Sequence, residues 1–363
     1  MKILTITGTR PELIRLSVIL KKLDEVCEHI HVYTSQNYDP NLSTLFFEEL
    51  KIRDPNYIFS KSIGIGGFLG NAFLRFNNIL EEEKPDKVLV LGDTNSGLLA
   101  ILAAKRGIPV YHMEAGNRCY DGEVPEETNR KIIDACSLYN LPYTENSKQN
   151  LINERFHKNF VFKIGNPIKE VLDYYDANIN RSFILQNLSL LDYDFGSVPL
   201  PYVLLSFHRT ENVDDLHRAN SVMKAINKIS EDIPVVFPLH PRTKDRFTEH
   251  GIEFAPGVKV IDPIGFFDFV QLEKLSHAII TDSGTVPEEA YLIGKPCIVL
   301  RNTTERQELM ENGSLILAGT KTEDILRAYN SIGQMKQKWG KLEDYEKDNV
   351  SDTVIRLLLG QNV

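Results

Sequence analysis

The chain has few of the features that characterise secreted, membrane-bound or disulfide-rich proteins. Its 363 residues include only four cysteines, and because no two of them form a CxxC pair, neither a disulfide framework nor a zinc site is expected. No stretch reaches the apolar length of a membrane span, and the apolar run in residues 1–7 is too short for a signal peptide. The sequence therefore predicts a soluble, cytoplasmic protein with reduced thiols.

The chain also lacks an excess of positive charge and a dinucleotide-binding fingerprint. The 41 Lys and Arg against 50 Asp and Glu give a formal net charge of −9. This balance argues against sequence-independent nucleic-acid binding, because such binding requires a basic face. The glycine pattern G-x-G-x-x-G of dinucleotide-binding folds does not occur. A nucleotide is not excluded, since a few local arginines can hold a diphosphate.

What the sequence does contain is an alternation of short β-rich runs with helical patterns, which is typical of βαβ units and a parallel sheet. Strands are predicted at residues 3–7, 31–34, 87–91, 110–113 and 161–164, and again at 202–206, 235–238, 258–261, 278–281 and 297–300. The pattern weakens over residues 171–201, and the length favours two domains. We therefore predict an α/β protein with two doubly wound Rossmann-like domains facing a cleft. They comprise residues 1–170 and 171–349, and an amphipathic helix at about 350–363 is expected to pack back on the first domain.

Acidic side chains cluster where consecutive predicted strands end. Asp93 and Glu114 follow neighbouring strands, and Glu126 lies in the first turn of the next helix. Carboxylates brought together repel one another, so folding does not require this cluster, whereas general acid–base chemistry uses it. For Asp93 alone, a helix cap is the simpler interpretation. The same segment carries two arginines that suit an anionic substrate, Arg118 and Arg130.

The loop after the first predicted strand favours phosphate. Gly8, Thr9 and Pro11 suit a tight turn and a capped helix, and the amino end of a helix attracts anions. Arg10 and Arg15 would add positive charge there. A well-capped turn without a ligand explains the glycine, the threonine and the proline but not Arg10.

The second half has strand-end loops of the same kind. His208, which stands beside an arginine after a buried strand, is a candidate proton shuttle or phosphate ligand, and His240 repeats the pattern more weakly. By contrast, His112 lies within its strand and is expected to be packed and hydrogen-bonded. A phosphate cradle is predicted from backbone N–H groups at the start of a later helix, at Ser283, Gly284 and Thr285. Acids in the first turn of that helix could accept hydrogen bonds from ribose hydroxyls, or they could simply stabilise a capped helix.

Together these motifs resemble the non-hydrolysing UDP-N-acetylglucosamine 2-epimerase family over essentially the whole chain. The matching segments are GTRPE (8–12), GDT (92–94), HMEAG (112–116), PEETNR (125–130), HR (208–209), DSG (282–284) and TER (304–306). The resemblance implies a glycosyltransferase-B type of fold, a UDP-2-acetamido sugar as substrate, no metal or nicotinamide cofactor, and often a homodimer. It places catalytic acids at Asp93, Glu114 and Glu126 and a catalytic histidine at His208. The candidates for binding UDP or sugar are Arg10, Arg15, Arg118, Arg130, His240, Phe269 (against uracil), Ser283, Gly284, Thr285, Glu289 and Arg306.

Two departures from the family pattern indicate a subgroup. Arg15 stands where the family usually has lysine, and residues 34–39 (TSQNYD) replace the common Thr-Gly-Gln-His segment, which in some bacterial members helps bind a second, regulatory UDP-GlcNAc. With residues 117–119 (NRC) and 140–145 (NLPYTE), they resemble enzymes acting on UDP-2-acetamido-2,6-dideoxy-L-hexoses. Those enzymes make UDP-N-acetyl-L-fucosamine or the L-rhamnosamine/L-quinovosamine pair for capsule and O-antigen. The alternative substrate is UDP-GlcNAc, giving UDP-ManNAc.

The implied reaction explains why acids and cations are both needed. The C2 proton of an amino sugar is not acidic enough for a simple base, but expelling UDP while removing it gives a 2-acetamidoglycal. Re-adding UDP with a proton from the opposite face then inverts C2. The alternatives to this activity are a retaining glycosyltransferase of the same architecture, a hydrolysing 2-epimerase that releases free sugar, and a non-catalytic UDP-sugar binder.

Overall fold

The structure is a computed structural model that describes residues 1–36, 40–60, 64–192 and 198–360. The chain divides into two compact units, Met1–Tyr174 with Glu343–Val363, and Tyr175–Leu342. Each unit is built on its own parallel sheet. The predicted fold class, an α/β protein with two doubly wound domains, is therefore confirmed.

The first unit carries the sheet β3-β2-β1-β4-β5-β6, all of whose pairings are parallel. Because β1 pairs with both β2 and β4, the winding of the chain reverses there, and ligands bind at such a switch point in open α/β sheets. Its elements are β1 (Lys2–Thr7), α1 (Arg10–Val26), β2 (Glu28–Tyr33), α2 (Pro40–Glu49), β3 (Tyr57–Ile58), α3 (Gly64–Glu83), β4 (Lys87–Leu91), α4 (Ala100–Lys105), β5 (Val110–Met113), α5 (Pro125–Cys136), β6 (Tyr139–Leu141), α6 (Glu145–Asn153) and α7 (Ile168–Ile179).

Burial on both faces explains why these strands read as continuous apolar runs. Leu4, Ile6, Val88 and Val90 lie in one hydrophobic cluster with Phe76 of α3 and are almost fully buried. Burying each such side chain contributes about 1.5–3 kcal/mol relative to leaving it in water. The central strands of this sheet are therefore the rigid support for the loops at their carboxyl ends.

Three short segments of the first sheet differ from the sequence prediction. β3 and β6 were not predicted, because two or three residues are too few for a readable pattern. The predicted strand at residues 161–164 is wrong: Val161 makes only an isolated bridge to Asn140. Phe162 N and Ile164 N donate to carbonyls of residues 140 and 142, so this segment follows the sheet edge without forming a strand among the described residues.

The second unit repeats the topology of the first, in the order β11-β10-β9-β12-β13-β14. All predicted strands of this half occur, and β14 was missed. Residues 171–201, predicted as a polar break, contain most of α7, a short helix and a small hairpin. The elements are α8 (Ile184–Asn187), β7 (Leu191–Asp192), β8 (Val198–Pro199), β9 (Val203–Ser206), α9 (Thr210–Val213), α10 (Leu216–Ile229), β10 (Val235–Pro238), α11 (Pro241–Glu249), β11 (Val258–Ile261), α12 (Phe266–Leu275), β12 (Ala278–Thr281), α13 (Val286–Ile293), β13 (Cys297–Val299), α14 (Gln307–Glu311), β14 (Leu315–Leu317) and α15 (Thr322–Ile332).

The last helix, α16 (Val350–Leu359), belongs to the first unit and packs on α1. Lys87 at the start of β4 is buried, and its ammonium donates to the carbonyls of Leu358 and Gly360 at 2.6 Å each. A cation at the carboxyl end of a helix satisfies carbonyls that have no partner within the helix. At the other end, Ser351 N donates to Glu170 Oε2 at 2.8 Å. Within the described residues, no helix is both long and apolar enough to cross a membrane.

Candidate active site

Paired strands place two of the predicted acids side by side. β4 and β5 pair with Leu91 opposite Met113, and Gly92 N donates to Met113 O at 3.0 Å. Asp93 and Glu114 follow directly, so both lie at the carboxyl edge of the first sheet. This edge adjoins β1, where the winding reverses and a ligand site is expected.

Glu114 is held in a strained conformation. Its φ of +68° is in the left-handed region, which costs about 1–3 kcal/mol for a residue with a side chain. Its N–H donates to Leu141 O at 3.1 Å, which fixes the backbone. The carboxylate lies 3.1 Å from Arg15 Nη1 and accepts a 3.1 Å hydrogen bond from Asn117 Nδ2, with 12% of the side chain exposed. Strain supported by surrounding contacts in this way is typical of functional residues.

Asp93 is held by an arginine of α5. Arg130 Nε donates to Asp93 Oδ2 at 2.8 Å, and its Nη1 donates to Glu127 Oε2 at 2.9 Å. Glu127 also accepts from the N–H groups of Cys119 and Tyr120 at 3.0 and 3.3 Å. Burial acts to raise the pKa of Glu127, but the hydrogen bonds from Cys119 and Arg130 outweigh it and the pKa is lowered. Arg130 thus bridges two carboxylates.

Glu126 lies one turn from this bridge. It follows Pro125, the first residue of α5, and its side chain is half-buried. Proline suits this position because its fixed φ matches a helix start and its missing N–H has no helical partner to lose. Glu126 and Arg130 are four residues apart and so lie on the same face of α5, and Arg130 of that face reaches Asp93.

The start of α1 completes this edge of the first sheet. Glu12 Oε2 accepts hydrogen bonds from Gly8 N at 2.8 Å and from Thr9 N at 2.7 Å, and Thr94 Oγ1 donates to Glu12 Oε1 at 2.8 Å. Burial raises the pKa of Glu12 to about 7, against the opposing effect of these hydrogen bonds. Arg10 is half-buried over the ring of Phe46. A buried carboxyl thus ties the loop after β1 to the loop after β4.

Three arginines that are predicted to contact the substrate are buried beside acidic side chains. Arg15 is 2% exposed beside Glu114, and Arg130 is buried between Asp93 and Glu127. Arg118 has no exposed surface, because its guanidinium contacts the carboxylates of Asp134 and Glu154 at 2.7 and 2.6 Å. Each of these three arginines therefore holds a carboxylate in place, and the predicted contact of Arg15, Arg118 and Arg130 with the substrate stays a prediction.

In the second unit, Asp282 organises the loop that carries the predicted catalytic histidine. Its buried carboxylate accepts from the N–H groups of His208 and Arg209 at 3.1 and 2.9 Å and from Asn212 Nδ2 at 3.3 Å. His208 Nδ1 lies 3.5 Å from Asp282 Oδ1. The imidazole is 44% exposed, so Asp282 fixes its backbone while the ring stays open to a ligand.

The predicted phosphate cradle stands at the start of α13. Ser283, Gly284 and Thr285 are half-buried, and Thr285 N donates to Ser283 Oγ at 3.2 Å. A Cβ on Gly284 would lie 2.7 Å from Glu305 Oε1 and 3.5 Å from Arg209 Nη2. Only glycine leaves room at this position, and the cradle is flanked by a guanidinium.

Other predicted residues of the second unit differ in accessibility. Arg306 is buried and its Nε pairs with Glu288 of α13, and its predicted contact with the ligand stays a prediction. The pKa of Glu273 is raised well above its usual value, mainly by burial and secondly by the nearby carboxylate of Glu289. A neutral Glu273 can therefore donate a hydrogen bond to Glu289. His240 is the N-cap residue directly before α11, and its Nδ1 accepts from Arg242 N at 3.4 Å. On α12, Phe269 is half-buried.

Sequence reasoning missed several residues that hold the site. Glu127 and Asp134 of α5 were not named, although their spacing from Arg130 by three and four residues puts all three on one helix face. Asp282 belongs to the DSG segment (282–284), but no role was predicted for it. His112 is packed and hydrogen-bonded, as predicted. In the part of the chain that the structure describes, no group of three or more His, Cys, Asp or Glu is arranged to hold a metal ion.

Known proteins share this fold and sequence. The model of the family UDP-N-acetylglucosamine 2-epimerase matches residues 21–359. A UDP-N-acetylglucosamine 2-epimerase of Methanocaldococcus jannaschii is 38% identical over 350 residues, 93% of this chain and 94% of that protein. A UDP-2,3-diacetamido-2,3-dideoxy-D-glucuronate 2-epimerase of Pseudomonas aeruginosa is 36% identical over 94% of this chain and 95% of its own length. The crystal structure of the M. jannaschii enzyme in complex with UDP-GlcNAc and UDP superposes with a TM-score of 0.91 at 35% identity, covering 99% of both chains.

Two doubly wound α/β domains, with carboxylates at the strand ends of the first, and the similarity to UDP-GlcNAc 2-epimerase structures define an enzyme of the nucleotide-sugar class. The chain belongs to the UDP-N-acetylglucosamine 2-epimerase family. It is therefore a carbohydrate epimerase acting on a UDP-sugar, and the family assignment made from the sequence motifs is confirmed at this level.

Proposed function

We propose that the protein inverts C2 of a UDP-2-acetamido sugar by eliminating UDP to a 2-acetamidoglycal and adding it back. The observation that carries this proposal is the set of carboxylates at the ends of β4 and β5, Asp93 and Glu114, with Glu126 at the start of α5. Inversion needs one group to remove the C2 proton and another to return a proton to the opposite face. One acid alone would not serve both faces.

The division of work follows from what each unit offers. Residues 1–170 supply the proton-handling acids, with Arg10 as a cation at the start of α1. Residues 171–349 supply the UDP-binding groups: His208, His240, the cradle of Ser283, Gly284 and Thr285, Phe269 for the uracil and Glu289 for the ribose. Donors preorganised around the diphosphate stabilise the negative charge that develops as the C1–O bond breaks. His208 is proposed to take part in catalysis because its exposed ring lies 3.5 Å from Asp282, the residue directly before the proposed cradle.

For the substrate we propose a UDP-2-acetamido-2,6-dideoxy-L-hexose. The support is the set of subgroup residues: Arg15 contacts Glu114, and Gln36 Oε1 accepts from Ser96 N at 3.0 Å beside the same loops. Asn37, Tyr38 and Asp39 of the subgroup segment lie outside the described residues. UDP-GlcNAc is the second candidate, because the M. jannaschii relative is named for that substrate. The Pseudomonas relative, named for a diacetamido-glucuronate, shows that similar chains are named for different amino sugars.

The remaining sequence-based expectations are part of the same proposal. A cytoplasmic homodimer that serves capsule or O-antigen synthesis, without a metal or nicotinamide cofactor, fits a nucleotide-sugar epimerase. Light scattering on the purified protein measures the oligomeric state. Assays with a chelator present and without added NAD measure the cofactor requirement.

The test is turnover of a panel of UDP-2-acetamido sugars, followed by NMR. Appearance of the C2 epimer as a UDP-sugar is the expected result. Release of free sugar and UDP would identify a hydrolysing epimerase, and transfer to an added acceptor would identify a glycosyltransferase. Binding of UDP by calorimetry without turnover of any sugar in the panel would contradict the proposed activity.

A further inference from the structure

A single buried carboxylate organises the loops that carry the proposed acids. Asp134 lies in the last part of α5 and has no exposed surface. It accepts from Gly116 N at 3.2 Å, contacts His112 Nδ1 at 2.8 Å and contacts Arg118 Nη2 at 2.7 Å. These three partners flank Glu114 on both sides in sequence, although Asp134 itself lies twenty residues further along the chain.

His112 extends this network to the neighbouring strand. Its Nε2 lies 2.8 Å from Gly92 O, and because a carbonyl only accepts, Nε2 must carry the hydrogen. Its Nδ1 lies 2.8 Å from Asp134 Oδ1, so the imidazole bridges Asp134 and the backbone after β4. Since Gly92 precedes Asp93, one network joins the ends of β4 and β5.

The loop after β5 depends on such support. Glu114 and Gly116 both have left-handed backbone, with φ of +68° and +78°. A Cβ on Gly116 would lie 2.2 Å from Ser147 O of α6, so the backbone is pressed against that helix and the position requires glycine. The bond from Gly116 N to Asp134 holds this turn from the opposite side.

We propose that Asp134 is a positioning residue for proton transfer: by binding the loop at His112, Gly116 and Arg118, it sets the direction in which Glu114 points. This inference rests on the proposed function. Asp134 does not touch the substrate and acts only through Glu114 and, by way of His112 and Gly92, through the end of β4.

The test compares the parent enzyme with Asp134→Asn. Asparagine has the shape of aspartate, but an NH2 group, which donates, replaces one of the carboxylate oxygens, which accept. This NH2 group would face a hydrogen-bond donor of the loop, and the two donors cannot pair. We expect kcat to fall at least tenfold, with KM and the Kd for UDP changed less than threefold and the thermal midpoint still above the assay temperature. Glu154→Gln is the matched control, because Glu154, which follows α6, binds the same Arg118 and is one-third exposed. It should lower the thermal midpoint while kcat stays within twofold.

A double-mutant cycle separates positioning from general damage. In the Glu114→Gln background, Asp134→Asn should cost less than twofold in the residual kcat, because the residue through which it acts has already been disabled. If Asp134→Asn does not fold, His112→Gln takes its place in the same cycle. The inference is overturned if Asp134→Asn lowers kcat by the same factor in the parent and in the Glu114→Gln background. It is also overturned if the single variant Asp134→Asn keeps the kcat of the parent. A parent that epimerises no UDP-2-acetamido sugar would instead overturn the proposed function, and the inference with it.

Discussion

At the scale of single residues, the account depends on which carboxylates handle protons. Glu114→Gln and Glu126→Gln should each lower kcat by at least a hundredfold, because the amide keeps volume and hydrogen bonding but cannot exchange a proton. Binding of UDP should persist, since the proposed UDP-binding groups lie mainly in the second unit. Calorimetry with UDP beside an epimerase assay measures both. Glu123→Gln, an exposed neighbour, is the control, and normal turnover in either test variant would remove that residue from the mechanism.

Arg130 offers a stability test at the same scale. Arg130→Met leaves the buried carboxylate of Glu127 with only the exposed Lys131 ammonium, 3.7 Å away, and breaking a buried pair in this way costs about 3–5 kcal/mol. Urea denaturation should show this loss, accompanied by a fall in kcat because Asp93 loses its partner. Arg327→Met, which removes an exposed ion pair with Asp324, should change stability by less than about 0.5 kcal/mol. Equal effects of the two substitutions would contradict the bridging role.

The residues themselves show how far sequence reasoning reaches. Asp93 and Glu114 could be placed together because strand ends of a parallel sheet meet at one edge. The burial of Arg118 could not be predicted, since it depends on Asp134 and Glu154, which come next to it only when α5 and α6 pack. Sequence pattern identifies a charged residue near a site, whereas its partner is decided by tertiary contacts.

At the scale of elements, β1 and β2 carry a pair of buried hydrogen bonds that make stability depend on pH. His31 Nε2 lies 2.8 Å from Thr7 Oγ1, and His29 Nε2 lies 3.0 Å from Thr5 Oγ1. The pKa of His31 is lowered to about 3, mainly by burial and secondly by the neighbouring His29. The unfolded chain therefore takes up a proton at a higher pH than the folded one. Stability from this group is complete above the unfolded pKa near 6.5 and is lost as the pH falls towards 3.

The corresponding variant is His31→Gln, which keeps a hydrogen-bonding group for Thr7 but does not titrate. Between about pH 7 and pH 5 the parent should lose roughly 2 kcal/mol more unfolding free energy than the variant. Chemical denaturation at both pH values measures the difference. His217→Gln, at an exposed position, should follow the parent. Parallel curves for the parent and His31→Gln would show that His31 does not titrate in this way.

Short elements account for most of what the sequence failed to predict. β3 has two residues and β6 three, and neither is long enough to show an alternating pattern. The segment at 161–164 is apolar enough to read as a strand, but only Val161 makes a bridge to the sheet. The long, doubly buried strands were predicted correctly because burial on both faces leaves a continuous apolar run.

At the scale of the whole molecule, the open question is which amino sugar is turned over. If the pocket is built around a C6 methyl, a C6 hydroxyl is left without a partner, which costs about 1–3 kcal/mol. We therefore expect kcat/KM for a UDP-2-acetamido-2,6-dideoxy-L-hexose to exceed that for UDP-GlcNAc by about tenfold to a hundredfold. Parallel kinetics on both substrates measure this ratio. A higher kcat/KM for UDP-GlcNAc would refute the subgroup proposal and leave the family assignment intact.

The central claim, that C2 inverts through loss and return of its proton, is tested most directly by running the reaction in heavy water. In the proposed mechanism, acids on opposite faces of the sugar exchange protons with solvent, so the epimer that forms should carry deuterium at C2. Proton NMR would then show the C2 signal disappearing from the product as it accumulates, with UDP-sugar conserved. Formation of the epimer with its original C2 proton fully retained would contradict the elimination mechanism.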